Sequence, residues 1–112
     1  LLACNITPFI FVDEYHFGPL QEKEMMKQAM AAIDSCGFLI AETSHKAIGV
    51  GIEAGYAVAK NKPVIYIRSE DASHSTTLSG ISSHAIIYKN ATDLEKQLAA
   101  AIAALFSNRS LN

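Results

Sequence analysis

Residues 38–67 read FLIAETSHKAIGVGIEAGYAVAKNKPVIYI, and this stretch decides the fold. It opens with the apolar run 38–41, passes through a polar loop and a glycine-rich segment, and closes with the apolar run 64–67. Each run is too short for a helix and is continuously apolar, which is typical of strands buried on both faces of a parallel sheet. Residues 49–60 predict a helix that ends at Asn61. The stretch is therefore a strand–helix–strand unit.

Similar elements flank this unit on both sides. Residues 9–12 and 85–88 are further short apolar runs and predict strands. Residues 20–36 carry apolar side chains near helical spacing, with acidic residues in the first turn, and predict a helix. A last helix is predicted to start at Thr92, because Glu95 three residues later completes a capping box.

The alternation of these elements predicts an α/β fold with a parallel sheet and helices on both faces. A chain of 112 residues fits one domain, residues 1–112. In such sheets ligands bind beyond the carboxyl ends of the strands. The loops after Ala41 and Ile67 lie at that edge, so they are the candidate site.

The composition limits the classes of function. The formal net charge of −2 offers no basic surface for a nucleic acid polymer. Two cysteines, Cys4 and Cys36, are too few for a disulfide framework or a cysteine-based metal site, so we expect free thiols. We expect no metal and no organic cofactor, because nothing resembles a ligand cluster. No apolar run is as long as a membrane span and no signal segment opens the chain, so we expect a cytoplasmic protein without a membrane partner.

The glycine-rich segment brings a carboxylate to the candidate edge. Gly49 and Gly51 permit tight turns and close approach of a ligand, and Glu53 is expected in the first helical turn. There the helix dipole favours an ionised carboxylate by about 0.3–1 kcal/mol. Such a group can attack an anomeric carbon or stabilise a sugar cation. The alternative is an ordinary first-turn glutamate on a surface helix. Gly55 comes one residue too late for the dinucleotide pattern G-x-G-x-x-G.

The same stretch resembles the nucleoside 2-deoxyribosyltransferase family, especially its branch of 2′-deoxynucleoside 5′-monophosphate N-hydrolases. Those proteins carry Ala-Glu-x-Ser/Thr at a strand end and then Gly-x-Gly-x-Glu-x-Gly, which matches residues 41–44 and 49–55 here. The resemblance implies a flavodoxin-like fold, with Glu53 as the catalytic nucleophile.

The resemblance also implies partners for that nucleophile. Ser44, Gly49 and Gly51 would line the substrate site, with Ser44 as a candidate for contacting sugar or phosphate. The alternative for Ser44 is that it only caps the loop. In the hydrolase branch a serine five residues before a glycine binds the 5′-phosphate across a dimer interface, and Ser75 fits that spacing. The alternative for Ser75 is a solvated, serine-rich loop. The implied ligand is a small-molecule nucleoside or nucleotide, and the implied assembly is a homodimer or higher homo-oligomer. The small faces of the second helix suit close packing between copies, but packing of the helix on its own sheet explains them equally well; they consist of Ala54, Gly55, Ala57, Val58 and Ala59.

Three features depart from the family pattern. Gly37 stands where the family often has an aspartate, and Asp34, one helical turn earlier, does not align. Ala47 stands where an aspartate or serine usually contacts the sugar or the phosphate. Residues 9–12 match the family's second strand, so its first strand has no counterpart. Because a buried strand with unpaired backbone groups is costly, we expect the native protein to have a strand before Leu1.

These departures leave two functions open. The first is cleavage or transfer of the N-glycosidic bond of a deoxynucleoside or its 5′-monophosphate. The second is a catalytically inactive nucleotide-binding or interaction module of the same fold. A receiver domain is disfavoured, because it would need clustered acidic residues at the end of a first strand. His74 and His84 are assigned no role.

Overall fold

Helices and strands alternate along the part of the chain that the structure, a computed structural model, describes. It describes residues 21–42 and 47–110, without the side chains of Ala47 and of residues 108–110. The predicted strand at residues 9–12 lies outside them, as does Ser44. The elements, in chain order, are α1 (Glu22–Ser35), β1 (Leu39–Glu42), α2 (Ala47–Ala59), β2 (Val64–Ser69), α3 (Thr76–Ile81), β3 (His84–Tyr88) and α4 (Ala91–Ser110).

The three described strands form one parallel sheet in the order β1-β2-β3. Glu42 of β1 pairs with Ile67 of β2, and Ser69 of β2 pairs with Tyr88 of β3. The carboxyl ends of the strands therefore meet at one edge of the sheet. The α/β fold with a parallel sheet is confirmed. None of the described helices is both long enough and apolar enough to cross a membrane.

Helices cover both faces of this sheet, as the continuous apolar runs predict. On the first face, α1, α2 and α3 pack against β1 and β2 in a core of Ile33, Ala41, Ala54, Ala57, Val64, Tyr66 and Leu78. On the second face, α4 packs against the sheet in a core of Ile65, Ile67, Ile86, Leu98, Ala101, Ile102 and Leu105. Successive residues of β2 alternate between these two cores, so the strand has no polar face.

The end of α2 agrees with the prediction. Asn61 adopts a left-handed backbone with φ of 61°, a conformation that asparagine tolerates better than most residues. The N–H of Lys62 donates to the carbonyl of Ala57 at 2.8 Å, which closes the helix. The chain then turns directly into β2.

The start of α4 differs from the predicted capping box. The helix begins at Ala91, and the side-chain oxygen of Asn90 accepts a hydrogen bond from the N–H of Asp93 at 2.8 Å. The prediction of Thr92 as the cap is wrong, because Asn90 lies two residues earlier and asparagine is among the strongest N-cap residues.

A short helix, α3, lies in the serine-rich segment between β2 and β3, where the sequence analysis predicts no helix. The hydroxyl of Ser75 accepts a hydrogen bond from the N–H of Leu78 at 3.2 Å and caps the helix. Leu78 is buried in the first-face core. The cap and this one buried leucine outweigh the low helix propensity of Thr76 and Thr77.

Candidate functional site

The candidate site lies at the carboxyl edge of the sheet, on its first face. β1 ends there at Glu42, and α2 begins five residues later, at Ala47. β2 ends there at Ser69, and the segment that follows leads to the start of α3 at Ser75. α2 and α3 contact each other, and each begins after the carboxyl end of a strand of the sheet.

Glu53 is the one charged residue of α2, and its side chain is half-buried. It is the seventh residue of the helix, so the expectation that it lies in the first turn is wrong. The helix dipole acts mainly within the first turn and does not account for an ionised carboxylate here. Burial instead raises the pKa of Glu53 above the ordinary value of a glutamate. A partly desolvated carboxylate with a raised pKa is a stronger base and nucleophile than a solvated one.

Gly49 and Gly51 lie inside α2, as the helix predicted for residues 49–60 has them. The expectation that they form a tight turn where the helix opens is wrong, because the helix already begins at Ala47. Neither has a positive φ, and a Cβ added at either position would meet nothing within 4 Å among the described residues. Their backbones therefore do not require glycine. Gly49 does lie four residues before Glu53, on the same side of the helix. Among the described residues, the missing side chain at Gly49 leaves open space on the side of the helix that carries Glu53.

Ser75 is half-buried, and both its hydroxyl and its N–H make hydrogen bonds at the start of α3. Its hydroxyl accepts from Leu78, and its N–H donates to the hydroxyl oxygen of Tyr66 at 2.9 Å. The solvated-loop interpretation therefore does not describe it. Tyr66 is 1% exposed and shares the first-face core with Ala54, the neighbour of Glu53 in sequence. The helix that carries Glu53 therefore packs into the first-face core, and Ser75 is hydrogen-bonded to a residue of the same core.

Two side chains of β2 that the sequence analysis did not single out hold the segment 69–75. Tyr66 binds its far end through the N–H of Ser75. Arg68 binds its middle, with Nη1 donating to the carbonyl of Ala72 at 3.0 Å. The centroid of the His74 ring lies 6.3 Å from the centroid of the Tyr66 ring. The sequence signal that could have identified them is a tyrosine and an arginine toward the end of an otherwise apolar strand, which ends at the edge where ligands bind.

Two other polar residues lie away from this region. Asp34 is exposed at the end of α1 and accepts a hydrogen bond from the hydroxyl of Tyr56 at 2.7 Å, which raises the pKa of Tyr56. Asp34 therefore does not take the place of the aspartate that the resembled family often carries where this chain has Gly37. His84 begins β3 at the opposite, amino edge of the sheet, and its Nδ1 is buried without a hydrogen-bond partner among the described residues.

Comparison with known proteins adds a structural relative. No family model matches the chain, and no curated protein matches it. Among solved structures, the chain is similar to the Clostridium botulinum CMP N-glycosidase BcmB, with 25% sequence identity and a TM-score of 0.61. The likeness covers 70% of this chain and 74% of that protein. It confirms the predicted flavodoxin-like fold, and the chain therefore shares its fold with an N-glycosidase that acts on a nucleotide.

Proposed function

We propose that the protein cleaves or transfers the N-glycosidic bond of a nucleoside, a deoxynucleoside or their 5′-monophosphates, with Glu53 as the nucleophile. The observation that carries this proposal is the structural likeness to a CMP N-glycosidase. The burial of Glu53 supports it, because its half-buried carboxylate has a raised pKa and belongs to the helix that begins at the edge where ligands bind in this class of fold.

In the proposed reaction, a carboxylate oxygen of Glu53 attacks C1′ of the sugar while the bond from C1′ to the base nitrogen breaks. The base leaves with the bonding electron pair and is protonated. The sugar remains as an ester of Glu53. Water then displaces the carboxylate in hydrolysis, or a second base displaces it in transfer. Partial burial of Glu53 assists the attack, since fewer water molecules must leave the carboxylate first.

The surroundings of Glu53 support a nucleotide as substrate. The space beside Gly49 would admit the sugar, with Gly51 and Ser44 nearby in the sequence. Ser75 would contact the 5′-phosphate, and Arg68 brings a positive charge beneath the same segment. Arginine and hydroxyl groups are common ligands of phosphate. We also propose a homodimer or higher homo-oligomer.

The proposal is tested by base release. The full chain is incubated with CMP, dCMP, cytidine and deoxycytidine, and with the corresponding compounds of the other bases, and free base is measured by chromatography. We expect release from at least one compound and none after Glu53→Gln. Glu70→Gln is the matched control, because Glu70 is an exposed carboxylate just past β2 at the same edge. Compounds that bind but release no base would overturn the proposal.

The role of Ser75 is tested separately. Ser75→Asp retains the helix cap, because aspartate caps as well as serine does, but it adds a negative charge. If Ser75 contacts the 5′-phosphate, this change weakens CMP binding at least about tenfold, or 1.4 kcal/mol, and leaves cytidine binding unchanged. Equal effects on both ligands would count against a phosphate contact.

A nucleotide-binding module without turnover is the second candidate. It is favoured by Ala47 and Gly37, which lack the polar side chains that the resembled family carries at these positions. Calorimetry separates the two candidates. Binding of a nucleotide that Glu53→Gln leaves unchanged, together with no base release from the unmodified protein, would support the module.

A further inference from the structure

Among the described residues, β3 pairs on one side only, with β2, and so forms an edge of the sheet. The N–H of Glu70 donates to the carbonyl of Tyr88 at 3.0 Å, so the backbone of Tyr88 faces β2. The backbone groups of successive residues point to opposite sides of a strand in turn. The N–H and C=O of Ala85 and Ile87, and the N–H of Lys89, therefore face outward, away from β2.

An outward row of backbone groups invites pairing with a strand of another molecule. The sequence of β3 is His-Ala-Ile-Ile-Tyr, with no acidic residue, lysine, arginine, proline or glycine. The side chain of Ile87 is 50% exposed. Short segments of high β-propensity and low charge are the ones that pair with copies of themselves. The edge of β3 is therefore prone to association unless other groups occupy it.

Two side chains of α4 occupy this edge. Nε2 of Gln97 donates to the carbonyl of Ile87 at 3.0 Å. Oδ2 of Asp93 accepts from the N–H of Lys89, also at 3.0 Å. A neighbouring parallel strand would form the same two bonds through the N–H and C=O of one residue opposite Tyr88. Nε2 of Gln97 also donates to Oδ2 of Asp93 at 3.0 Å, so the two side chains together imitate one strand residue.

The carboxylate of Asp93 is held in position for this contact. Asp93 lies in the first turn of α4, and its N–H donates to the side-chain oxygen of Asn90 at 2.8 Å. The hydrogen bonds from the N–H of Lys89 and from Gln97 lower the pKa of Asp93 below its ordinary value. The carboxylate therefore stays ionised at neutral pH and accepts both bonds.

We infer that Asp93 and Gln97 close the outer edge of β3 against pairing with a strand from another molecule. β3 has five residues, and within it only Ala85 and Ile87 face outward. Because the carbonyl of Ile87 and the N–H of Lys89 are already bound, an incoming strand could pair only at Ala85. A single residue pair is too short for a stable ladder. The inference concerns the sheet edge and does not depend on the proposed chemistry of Glu53.

The first test uses the unmodified chain. The N–H of Ile87 faces the same edge as that of Lys89, but no described side chain accepts a hydrogen bond from it. Hydrogen exchange followed by NMR should therefore give Lys89 a protection factor at least about tenfold higher than that of Ile87. Equal protection of the two N–H groups would overturn the inference. This test needs no variant, so it decides the question even if a variant does not fold.

The second test removes the donor of the edge contact. Gln97→Met keeps a side chain of similar length and good helix propensity. We expect it to associate at least about tenfold faster than the unmodified chain in light scattering, with the oligomeric state of the unmodified chain as the baseline. Gln28→Met is the matched control, because Gln28 makes the same kind of hydrogen bond, to Glu24 at 3.0 Å, on the distant helix α1. It should leave association unchanged.

Two further variants separate opening of the edge from loss of stability. Tyr66→Phe removes a hydrogen bond elsewhere and leaves the edge closed, so it should associate no faster than the unmodified chain. Adding Ile87→Lys to Gln97→Met should abolish the extra association, because lysine on an edge strand opposes pairing. Circular dichroism checks that each variant is folded. Gln97→Met no faster than Gln28→Met, Tyr66→Phe as fast as Gln97→Met, or association that persists with Ile87→Lys would each overturn the inference.

Discussion

Replacing Tyr66 by phenylalanine isolates the hydrogen bond that fixes the start of α3. The hydroxyl oxygen of Tyr66 accepts the N–H of Ser75 at 2.9 Å, and the ring is 1% exposed. Phenylalanine keeps the ring, so no cavity forms. The variant therefore loses only the acceptor of a partly buried backbone N–H, and we expect the free energy of unfolding to fall by about 1–2 kcal/mol. For a domain of this size that corresponds to a fall of roughly 3–10 °C in melting temperature.

Urea denaturation of the full chain measures this loss as a lower midpoint with an unchanged m value. Tyr56→Phe is the matched control, because it removes an exposed hydrogen bond to Asp34, and we expect it to cost no more than about 0.5 kcal/mol. If Tyr66→Phe is no more destabilising than Tyr56→Phe, Tyr66 does not hold the segment before α3, and the account of that segment is refuted.

Three further predictions follow from the site and the helix caps. Gly49→Ala should raise the free energy of unfolding by about 1 kcal/mol in thermal melts. It should nevertheless lower kcat/KM, because the added methyl group fills space on the side of α2 that carries Glu53; an unchanged kcat/KM would contradict the proposal that the sugar of the substrate occupies this space. Burial raises the pKa of Glu53 in the folded state, so its contribution to stability is present at low pH and is lost as pH rises through that raised value. kcat/KM should rise with pH over the same interval. Glu53→Gln should remove this pH dependence of stability, and identical curves of stability against pH for the variant and the unmodified protein would refute the prediction. Asn90→Ala should cost about 1 kcal/mol in urea denaturation and Thr92→Ala much less, because Asn90 caps α4; the reverse order would contradict the assignment.

Apolar runs in the sequence were sufficient to locate the three described strands. The predicted runs 64–67 and 85–88 correspond to Val64–Ser69 and His84–Tyr88, displaced by at most two residues at their ends. A strand buried on both faces has no polar positions, and few other structures tolerate such a short, uninterrupted apolar run. The parallel sheet and its ligand-binding edge followed from the order of the elements.

The glycine-rich segment shows why the details of the site could not be read in the same way. Gly49 and Gly51 have poor helix propensity, so the sequence indicates a tight turn that opens a helix at residue 49, but tertiary packing of Ala54 and Ala57 against the sheet supports a helix that begins at Ala47 and runs through both glycines. That extension moves Glu53 out of the first turn and makes burial, not the helix dipole, the cause of its pKa shift.

The anchoring of Ser75 by Tyr66 depends on a contact between residues nine positions apart. No local pattern reports such a contact. The residue-type rules for turns therefore indicated only a serine-rich loop, although its capping serine and buried leucine were both present in the sequence.

The role of Glu53 is tested most directly by the mass of the protein during turnover. A reaction with the best substrate of the panel is quenched in acid, and the intact chain and its peptides are weighed by mass spectrometry. We expect an added sugar, or sugar phosphate, on the peptide that contains Glu53, and no adduct after Glu53→Gln. Base release that continues in Glu53→Gln, with no adduct on the unmodified protein, would contradict it.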